Sequence, residues 1–363
     1  MRNGLFSLFG RFGLFRAKKS NKTNEPRKLA RAHRWVRVWI FCGASALVIG
    51  SPAAAEEPAE ERWPKVELSA GTWISVGDTR WAHNASASQP ILGNPTSKLI
   101  YKDVGTNVAE LTGKLWFSPK VFAKLNGGIA NIGGGRLTDN DYLAADGGAP
   151  SSQTTSNITG TSMYYINADL GGRVVEFSNH RGYLDVFGGY QYWYQRFQAS
   201  GLAQVICTTA GQTINLGGQV LCNPNTSISS SITVITNTTM WHSFRVGASS
   251  EYRITRRFSV LGTVAFLPVT ILDNNDEHHL RSDLQQNPSF SMTGYGVGAD
   301  ADAGVRLMLL KNLAANVGYR VYYNRVLSGH LTSHPVGSPS QSFPLTEFQS
   351  LRHGLTAGLT LIF

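Results

Sequence analysis

Two short acidic segments hold the residues best suited to chemistry. The first is the Asp-Asn-Asp segment 139–141, and the second is the Asp-Glu-His segment 276–278. A carboxylate next to an imidazole orients the ring and stabilises its charged form, which makes the histidine a general base. A second carboxylate pair can hold a water molecule or stabilise a developing proton. Together the two segments could activate water against a peptide carbonyl without a covalent nucleophile. The groups concerned are Asp139, Asp141, Asp276 and His278.

Taken singly, each segment also has an ordinary explanation. Asp and Asn hydrogen-bond their own backbone in turns, so an Asp-Asn-Asp segment is typical of a loop. An acid and histidine cluster in an exposed loop is often merely solvated, and oxygen-rich acidic loops also suit calcium. The residues alone leave these alternatives open, so the placement of the two segments decides between them.

The elements that must position these segments are long β-strands. From Tyr295 to Leu307, apolar side chains alternate with Gly, Asp and Arg, and a similar pattern covers 315–323. Successive side chains of a strand point to opposite faces, so one face here is apolar and the other polar. Such strands, up to about 20 residues long, favour an outer-membrane barrel with lipid outside and a polar lumen. A large soluble β-sandwich or lipocalin-like barrel is the alternative.

The pattern predicts an all-β, transmembrane antiparallel β-barrel of about ten strands with long extracellular loops. Short and long connections alternate along the chain, and segments 139–141 and 276–278 fall in long loops at 135–156 and 273–287. With both termini periplasmic, the two segments meet at the same extracellular rim. The predicted strands cover 66–80, 97–117, 120–134, 157–177, 183–200, 239–254, 257–272, 288–309, 313–329 and 349–363.

The net charge of +10 lies entirely in the first 55 of the 363 residues, which carry 11 Lys and Arg against one acid. A 13-residue apolar run and the small-residue segment Ser51–Ala55 follow this basic stretch, so residues 1–55 are predicted to be a signal peptide. A short retained membrane anchor is the alternative. Residues 56–363 are charge-balanced, which argues against a nucleic-acid partner. We therefore expect export, and residues 56–363 form the predicted outer-membrane barrel.

The last strand ends in alternating apolar residues and Phe363. This resembles the C-terminal strand that marks outer-membrane proteins for barrel insertion, so the barrel-assembly machinery is an expected partner. Cys207 and Cys222 lie 15 residues apart in a loop that faces an oxidising compartment, and we expect them to form a disulfide.

Several short motifs across residues 56–363 resemble the omptins, outer-membrane proteases of Gram-negative bacteria. They are Gly71-Thr72 with Gly77-Asp78-Thr79, Leu99-Ile100-Tyr101-Lys102, Thr138–Asp141, Gly189-Tyr190-Gln191, Asn275–His278 and Asn324-Arg325-Val326. The resemblance implies an aspartic-type endopeptidase that cleaves peptide or protein substrates. Asp276 and His278 would activate the water, and Asp139 and Asp141 would form the opposing pair. It also implies no metal and no cofactor, with bound lipopolysaccharide required for activity.

The sequence departs from the omptin pattern at two sets of positions. Omptins cleave beside basic residues because acids line the substrate pocket, whereas the corresponding positions here are Trp81 and Asn274. These changes weaken the expectation of a basic preference, and Asp273 could partly replace the missing acid. At the lipopolysaccharide motif, Tyr190 is retained, but Tyr192 and Tyr194 stand where omptins have Glu and Arg.

Two other functions remain as alternatives. The changed pocket and loop positions are compatible with an inactive omptin-like barrel that acts as a surface adhesin or binding protein. A passive porin is the other alternative, although ten strands enclose too narrow a lumen for a wide channel.

Overall fold

A computed structural model of the chain describes residues 65–177, 181–215 and 220–363. The predicted signal peptide at 1–55 lies outside these residues and stays a prediction. The described part contains eleven strands, a 3-10 turn at Ala144–Asp146 and one short helix, α1 (Thr209–Thr213). The strands are β1 (Lys65–His83), β2 (Leu92–Trp116), β3 (Val121–Leu143), β4 (Ser152–Ile158), β5 (Ser162–Glu176), β6 (Gly182–Cys207), β7 (Ser227–Arg253), β8 (Phe258–His278), β9 (Phe290–Met308), β10 (Leu313–Ser333) and β11 (Gln341–Ile362).

The strands close into one antiparallel barrel. β1 pairs with β2 on one side and with β11 on the other, and every other neighbouring pair is also antiparallel. β4 and β5 both lie between β3 and β6, so the eleven strands occupy ten positions around the barrel. The ten-position, all-β barrel predicted from the alternating pattern is confirmed. The extra strand β4 was not predicted, because its sequence is almost uniformly polar.

A belt of exposed apolar side chains surrounds the barrel, as lipid contact requires. The belt ends at Ile74 on β1, at Ile129 on β3 and at Ile271 on β8. All three strands continue well beyond it, β8 as far as His278. These strand ends therefore stand outside the membrane and form the mouth of the barrel, on the side predicted to be extracellular. Within the described residues, no helix is long and apolar enough to cross a bilayer.

A layer of aromatic side chains closes the lumen partway along its length. Trp73, Tyr165, Trp193 and Tyr322 pack their rings against one another at centroid distances of 4.9 to 6.2 Å. Below this aromatic layer, Arg320 binds Asp302 at 2.6 Å and also pairs with Glu110. The lumen is therefore polar, as predicted, and its ion pairs are separated from the mouth by the aromatic layer.

Candidate active site

The two acidic segments lie on strands rather than in loops. β3 runs to Leu143 and pairs Asp139 with Thr154 of β4, whereas β8 runs to His278 and pairs Asp276 with Asn237 of β7. The loop placement predicted from sequence is therefore wrong. Asp and Asn rarely favour strands, but cross-strand pairing overrides this weak preference. Because residues two apart share one face of a strand, each pair presents its side chains together.

Asp276 and His278 form a close pair at the mouth. Oδ2 of Asp276 lies 2.9 Å from Nε2 of His278, and the aspartate side chain is fully buried whereas the histidine is partly exposed. The aspartate accepts the Nε2 proton in the tautomer that this contact favours, so Nδ1 is left to accept a proton from water. Such a carboxylate and imidazole pair is the arrangement of an oriented general base.

Contacts from three strands hold this pair in place. Oδ1 of Asp276 accepts a hydrogen bond from Nδ2 of Asn237 at 2.9 Å and one from the Tyr101 hydroxyl at 3.4 Å. The His278 ring packs edge-on against Phe290, with 5.1 Å between the ring centroids, and its backbone N–H donates to the Ser289 hydroxyl. Neither side chain of the pair is therefore free to turn away from the other.

Asn274 lies beneath the pair on the same face of β8 and is fully buried. Its amide donates to Oδ1 of Asn237 and to the Thr239 hydroxyl, each at 2.9 Å. The Asn237 amide donates in turn to Asn274 at 3.2 Å. A neutral network of side-chain hydrogen bonds thus supports Asp276 from below, which fixes the carboxylate without placing a second charge beside it.

Asp139 and Asp141 form the second pair, on the opposite wall. The Ser97 hydroxyl donates to Asp139 at 3.5 Å. Burial raises the pKa of Asp139 well above its ordinary value, and the negative charges of Asp141 and Asp276 raise it further. Burial also raises the pKa of Asp141. The two carboxyl groups therefore share a proton more readily than isolated aspartates do.

The two pairs act on each other electrostatically. The charge of Asp276 contributes to the raised pKa of Asp139, and the charge of His278 opposes the rise at Asp141. Tyr101 bonds Asp276, and both Asp276 and Asp139 raise the pKa of its hydroxyl in addition to the effect of burial. The structure thus places the four predicted groups at one mouth, where they interact.

The three predicted pocket residues do not all face the interior of the barrel. Trp81 and Asn274 face the interior and are buried. Asp273 does not, because it is one residue out of phase with Asn274 and Asp276 and is exposed on the outer face of β8. The expectation that Asp273 could replace a pocket acid is therefore wrong, since its carboxylate points away from the mouth.

Tyr190, Tyr192 and Tyr194 lie on the outer face of β6. Tyr194 stacks on Tyr164 of β5 with 4.5 Å between centroids, and the Tyr190 hydroxyl lies 2.6 Å from Nδ1 of His242. This outer cluster has the position of an aromatic girdle at the lipid interface. Trp193, which alternates with these tyrosines along the strand, faces the lumen and is buried.

The predicted disulfide between Cys207 and Cys222 is present. Sequence reasoning missed four residues around the site, which are His83, Ser97, Tyr101 and Asn237. Tyr101 lies in the omptin-like motif Leu99–Lys102, from which no role at the site was inferred. Ser97 fell in the same predicted strand without a distinguishing signal, and Asn237 fell in a predicted loop. Only the strand pairing brings these side chains to the acidic residues, so their positions in the sequence do not by themselves assign them a role at the site.

Comparison with known proteins places this barrel among outer-membrane proteins. Residues 77–330 match the family described as Pom, Protochlamydia outer membrane protein. The fold is similar to the crystal structure of outer membrane protease OmpT from Escherichia coli, with a TM-score of 0.67 and 15% sequence identity over 84% of this chain and 99% of that one. The omptin resemblance is thereby confirmed for the fold. No curated protein matches the sequence.

Two further barrels are more distant. The translocator domain of the autotransporter NalP from Neisseria meningitidis has a TM-score of 0.32 and 9% identity over 83% of this chain and 89% of its own. A FadL homologue from Pseudomonas aeruginosa has a TM-score of 0.29 and 8% identity over 83% of this chain and 90% of its own. Both are too dissimilar to add to the description of the site.

Proposed function

The chain belongs to the Protochlamydia outer membrane protein family, and we propose that it is an omptin-like endopeptidase whose site opens at the extracellular mouth of the barrel. The observation that carries the proposal is the buried Asp276, which holds His278 at 2.9 Å opposite the acid pair of Asp139 and Asp141. The OmpT-like fold supports it, since the same architecture carries a protease in Escherichia coli.

In this proposal, His278 takes a proton from water through Nδ1, while Asp276 stabilises the imidazolium that forms. The oxygen of that water attacks the peptide carbonyl. The Asp139 and Asp141 pair, whose pKa values are raised by burial, retains a proton that it can donate as a hydrogen bond to the developing oxyanion. The proton on His278 then passes to the leaving amine, so His278 returns to its starting state.

The charges at the mouth guide the expected substrate preference. Asn274 is neutral and fully engaged in hydrogen bonds, Trp81 is apolar, and Asp273 faces outward. A lysine or arginine next to the cleaved bond would therefore meet no acid at these three positions. We propose that cleavage beside basic residues is not favoured over cleavage beside uncharged ones.

Lipopolysaccharide is the proposed lipid partner, bound at the outer tyrosines Tyr190, Tyr192 and Tyr194. Their stacking with Tyr164 and His242 supports a role in contacting a lipid headgroup region. Recognition of Phe363 by the barrel-assembly machinery stays a prediction. In the proposed role the protein needs no cofactor other than this lipid.

The test is peptide cleavage by the purified barrel, refolded with and without lipopolysaccharide and incubated with a mixed peptide library that is read by mass spectrometry. Wild-type protein should cleave, and His278→Ala and Asp139→Ala should each lose activity while still showing heat-modifiable gel mobility. His279→Ala and Asp273→Ala are matched controls, because they remove the same groups from the outer face of the strand end. Both controls should cleave normally.

Cleavage that survives both His278→Ala and Asp139→Ala would overturn the proposed site. If folded wild-type protein cleaves no peptide even with lipopolysaccharide, the alternative of a surface adhesin or binding protein is favoured. Equal cleavage with and without the lipid would remove only the lipid requirement.

A further inference from the structure

His83 is a second histidine at the mouth, and nothing in the proposed mechanism uses it. It is the last residue of β1, and its side chain is 5% exposed. Its ring lies between those of Trp81 and Phe343, with centroid distances of 6.2 and 5.9 Å. The lipid-facing belt of β1 ends nine residues earlier, at Ile74, so His83 belongs to the extracellular mouth.

His83 lies beside the half of the site that holds Asp139 and Asp141. It is the cross-strand partner of Ser97 on β2, and the Ser97 hydroxyl donates to Asp139. Side chains directly opposite each other on paired strands are about 5 Å apart at Cβ. On its other side, His83 is close enough to His278 for the charge of one ring to act on the other. His83 therefore adjoins the acid-pair side of the mouth through Ser97 and lies within electrostatic range of the general base.

Both ring nitrogens of His83 are buried without a hydrogen-bond partner among the described residues. Asn237 and Asn274, the buried amides on the far side of Asp276, form several hydrogen bonds each. A buried polar group without a partner costs about 1–3 kcal/mol. A phenyl ring between Trp81 and Phe343 would avoid this cost. The contacts of the described residues therefore give no structural reason for the two ring nitrogens.

The surroundings also keep this imidazole neutral. Burial lowers the pKa of His83 to about 4, and the nearby charge of His278 contributes to the decrease. A neutral imidazole carries one donor and one acceptor. It can thus fix the orientation of a small molecule by hydrogen bonding without adding a charge that would repel the imidazolium of His278 during catalysis.

We propose that His83 is a further catalytic residue, which hydrogen-bonds the attacking water between His278 and the Asp139 side of the mouth. This inference rests on the proposed endopeptidase function. One proton of the water goes to Nδ1 of His278, while the other O–H donates to the unprotonated ring nitrogen of His83. The water oxygen forms the bond to the carbonyl carbon, and the proton held by His278 leaves with the amine when the C–N bond breaks. His83 keeps its own proton throughout.

His83→Phe is the principal test, because it keeps a ring between Trp81 and Phe343 and removes both nitrogens. We expect kcat for peptide cleavage to fall about 100-fold, the lower end of the range seen when one such group is removed from a catalytic site. KM should stay nearly unchanged, since the substrate itself is not the partner. The unfolding temperature should stay equal or rise, since two unpartnered polar atoms disappear.

Two amide variants identify the nitrogen that is used. His83→Asn places an amide near Nδ1, and His83→Gln places one near Nε2. One of them should recover most of the lost kcat, which a purely structural role would not predict. If the Phe variant fails to fold, judged by gel heat-modifiability, the difference in kcat between the Asn and Gln variants is the test.

The outcomes separate this inference from the function on which it rests. Wild-type kcat in a folded His83→Phe protein would overturn the role of His83 and leave the Asp276 and His278 site intact. Equal kcat in the Asn and Gln variants, with both at the level of His83→Phe, would also contradict it. A folded wild-type protein that cleaves nothing would overturn both proposals together.

Discussion

Asn237 donates a 2.9 Å hydrogen bond from β7 to Oδ1 of Asp276 on β8, at a point where the two residues are direct cross-strand partners. The carboxylate is therefore fixed from a neighbouring strand as well as by His278. Since Asp276 is fully buried, each of its hydrogen bonds bears on both the stability of the mouth and the orientation of the proposed base.

Removing the Asn237 amide should reduce activity and stability together. For Asn237→Ala we expect kcat to fall about tenfold or more and the free energy of unfolding to fall by about 1–3 kcal/mol, because a buried carboxylate loses a donor. Thr238→Ala is the matched control, since its side chain lies on the outer face of β7 and its backbone carbonyl still accepts from Asn274. An Asn237→Ala protein with wild-type kinetics would mean that His278 and Tyr101 are sufficient to orient Asp276.

Asp139→Asn should abolish cleavage and stabilise the protein at neutral pH. Burial and the charge of Asp141 raise the pKa of Asp139 in the folded protein. Between the ordinary carboxyl pKa of about 4 and this higher value, the folded chain binds more protons than the unfolded chain, so its stability falls as pH rises. Asparagine removes that dependence.

The measurement is the unfolding temperature in detergent at pH 5 and pH 8. The decrease from pH 5 to pH 8 should be smaller for Asp139→Asn than for the wild type. Asp273→Asn removes a carboxylate from the outer face of β8 and should follow the wild-type pattern. A decrease of equal size in Asp139→Asn and wild type would show that the acid pair does not retain its proton.

Loss of the disulfide should weaken the acid-pair side of the mouth. Cys222 lies against the backbone carbonyl of Ser151, and the Ser151 N–H donates to the carbonyl of Asp141 at 2.8 Å. The bridge closes a loop with a sequence separation of 15, which corresponds to about 3 kcal/mol of stabilisation. Replacing Cys207 and Cys222 by serine should lower the unfolding temperature and reduce kcat. Chemical reduction of the wild-type disulfide should reproduce both effects. Unchanged kcat in both cases would show that the disulfide does not affect the function of Asp141.

The aromatic layer of Trp73, Tyr165, Trp193 and Tyr322 should keep the barrel from conducting ions. We expect no large stable openings of the wild type in a planar bilayer, and an increase when Trp73 and Trp193 are both replaced by alanine. Tyr319→Ala, on the lipid-facing side of β10, is the control and should conduct no more than the wild type. Large openings of the wild type would favour a porin.

The sequence predicts the membrane wall well and the mouth only in part. The alternation from Tyr295 to Leu307 places apolar side chains outward, as the structure has them, because a period of two is a direct consequence of strand geometry. The same alternation places Asp273 on the outer face once β8 is taken to continue to His278. The Asp and Asn residues that end β8 instead suggested a loop, although pairing with β7 and β9 holds them in the strand.

The side chains that organise the site could not be predicted, for a different reason. Tyr101 and Asn237 reach Asp276 from positions 175 and 39 residues away in the chain. His83 meets Ser97 through the pairing of β1 with β2, in a part of β1 where the pairing with β11 shifts register between Ala82 and His83. A sequence shows which residues alternate along a strand, but such contacts depend on the register between strands.

The continuation of β8 beyond the lipid belt sets the height at which the protein can act. Asp276 lies five residues past Ile271, which corresponds to about 13 Å above the belt for a strand rising about 3.4 Å per residue and tilted by about 40°. Chain segments that lie flat among lipid headgroups would pass beneath the proposed catalytic groups. Segments that project from the cell surface, or that diffuse freely outside it, come within their reach.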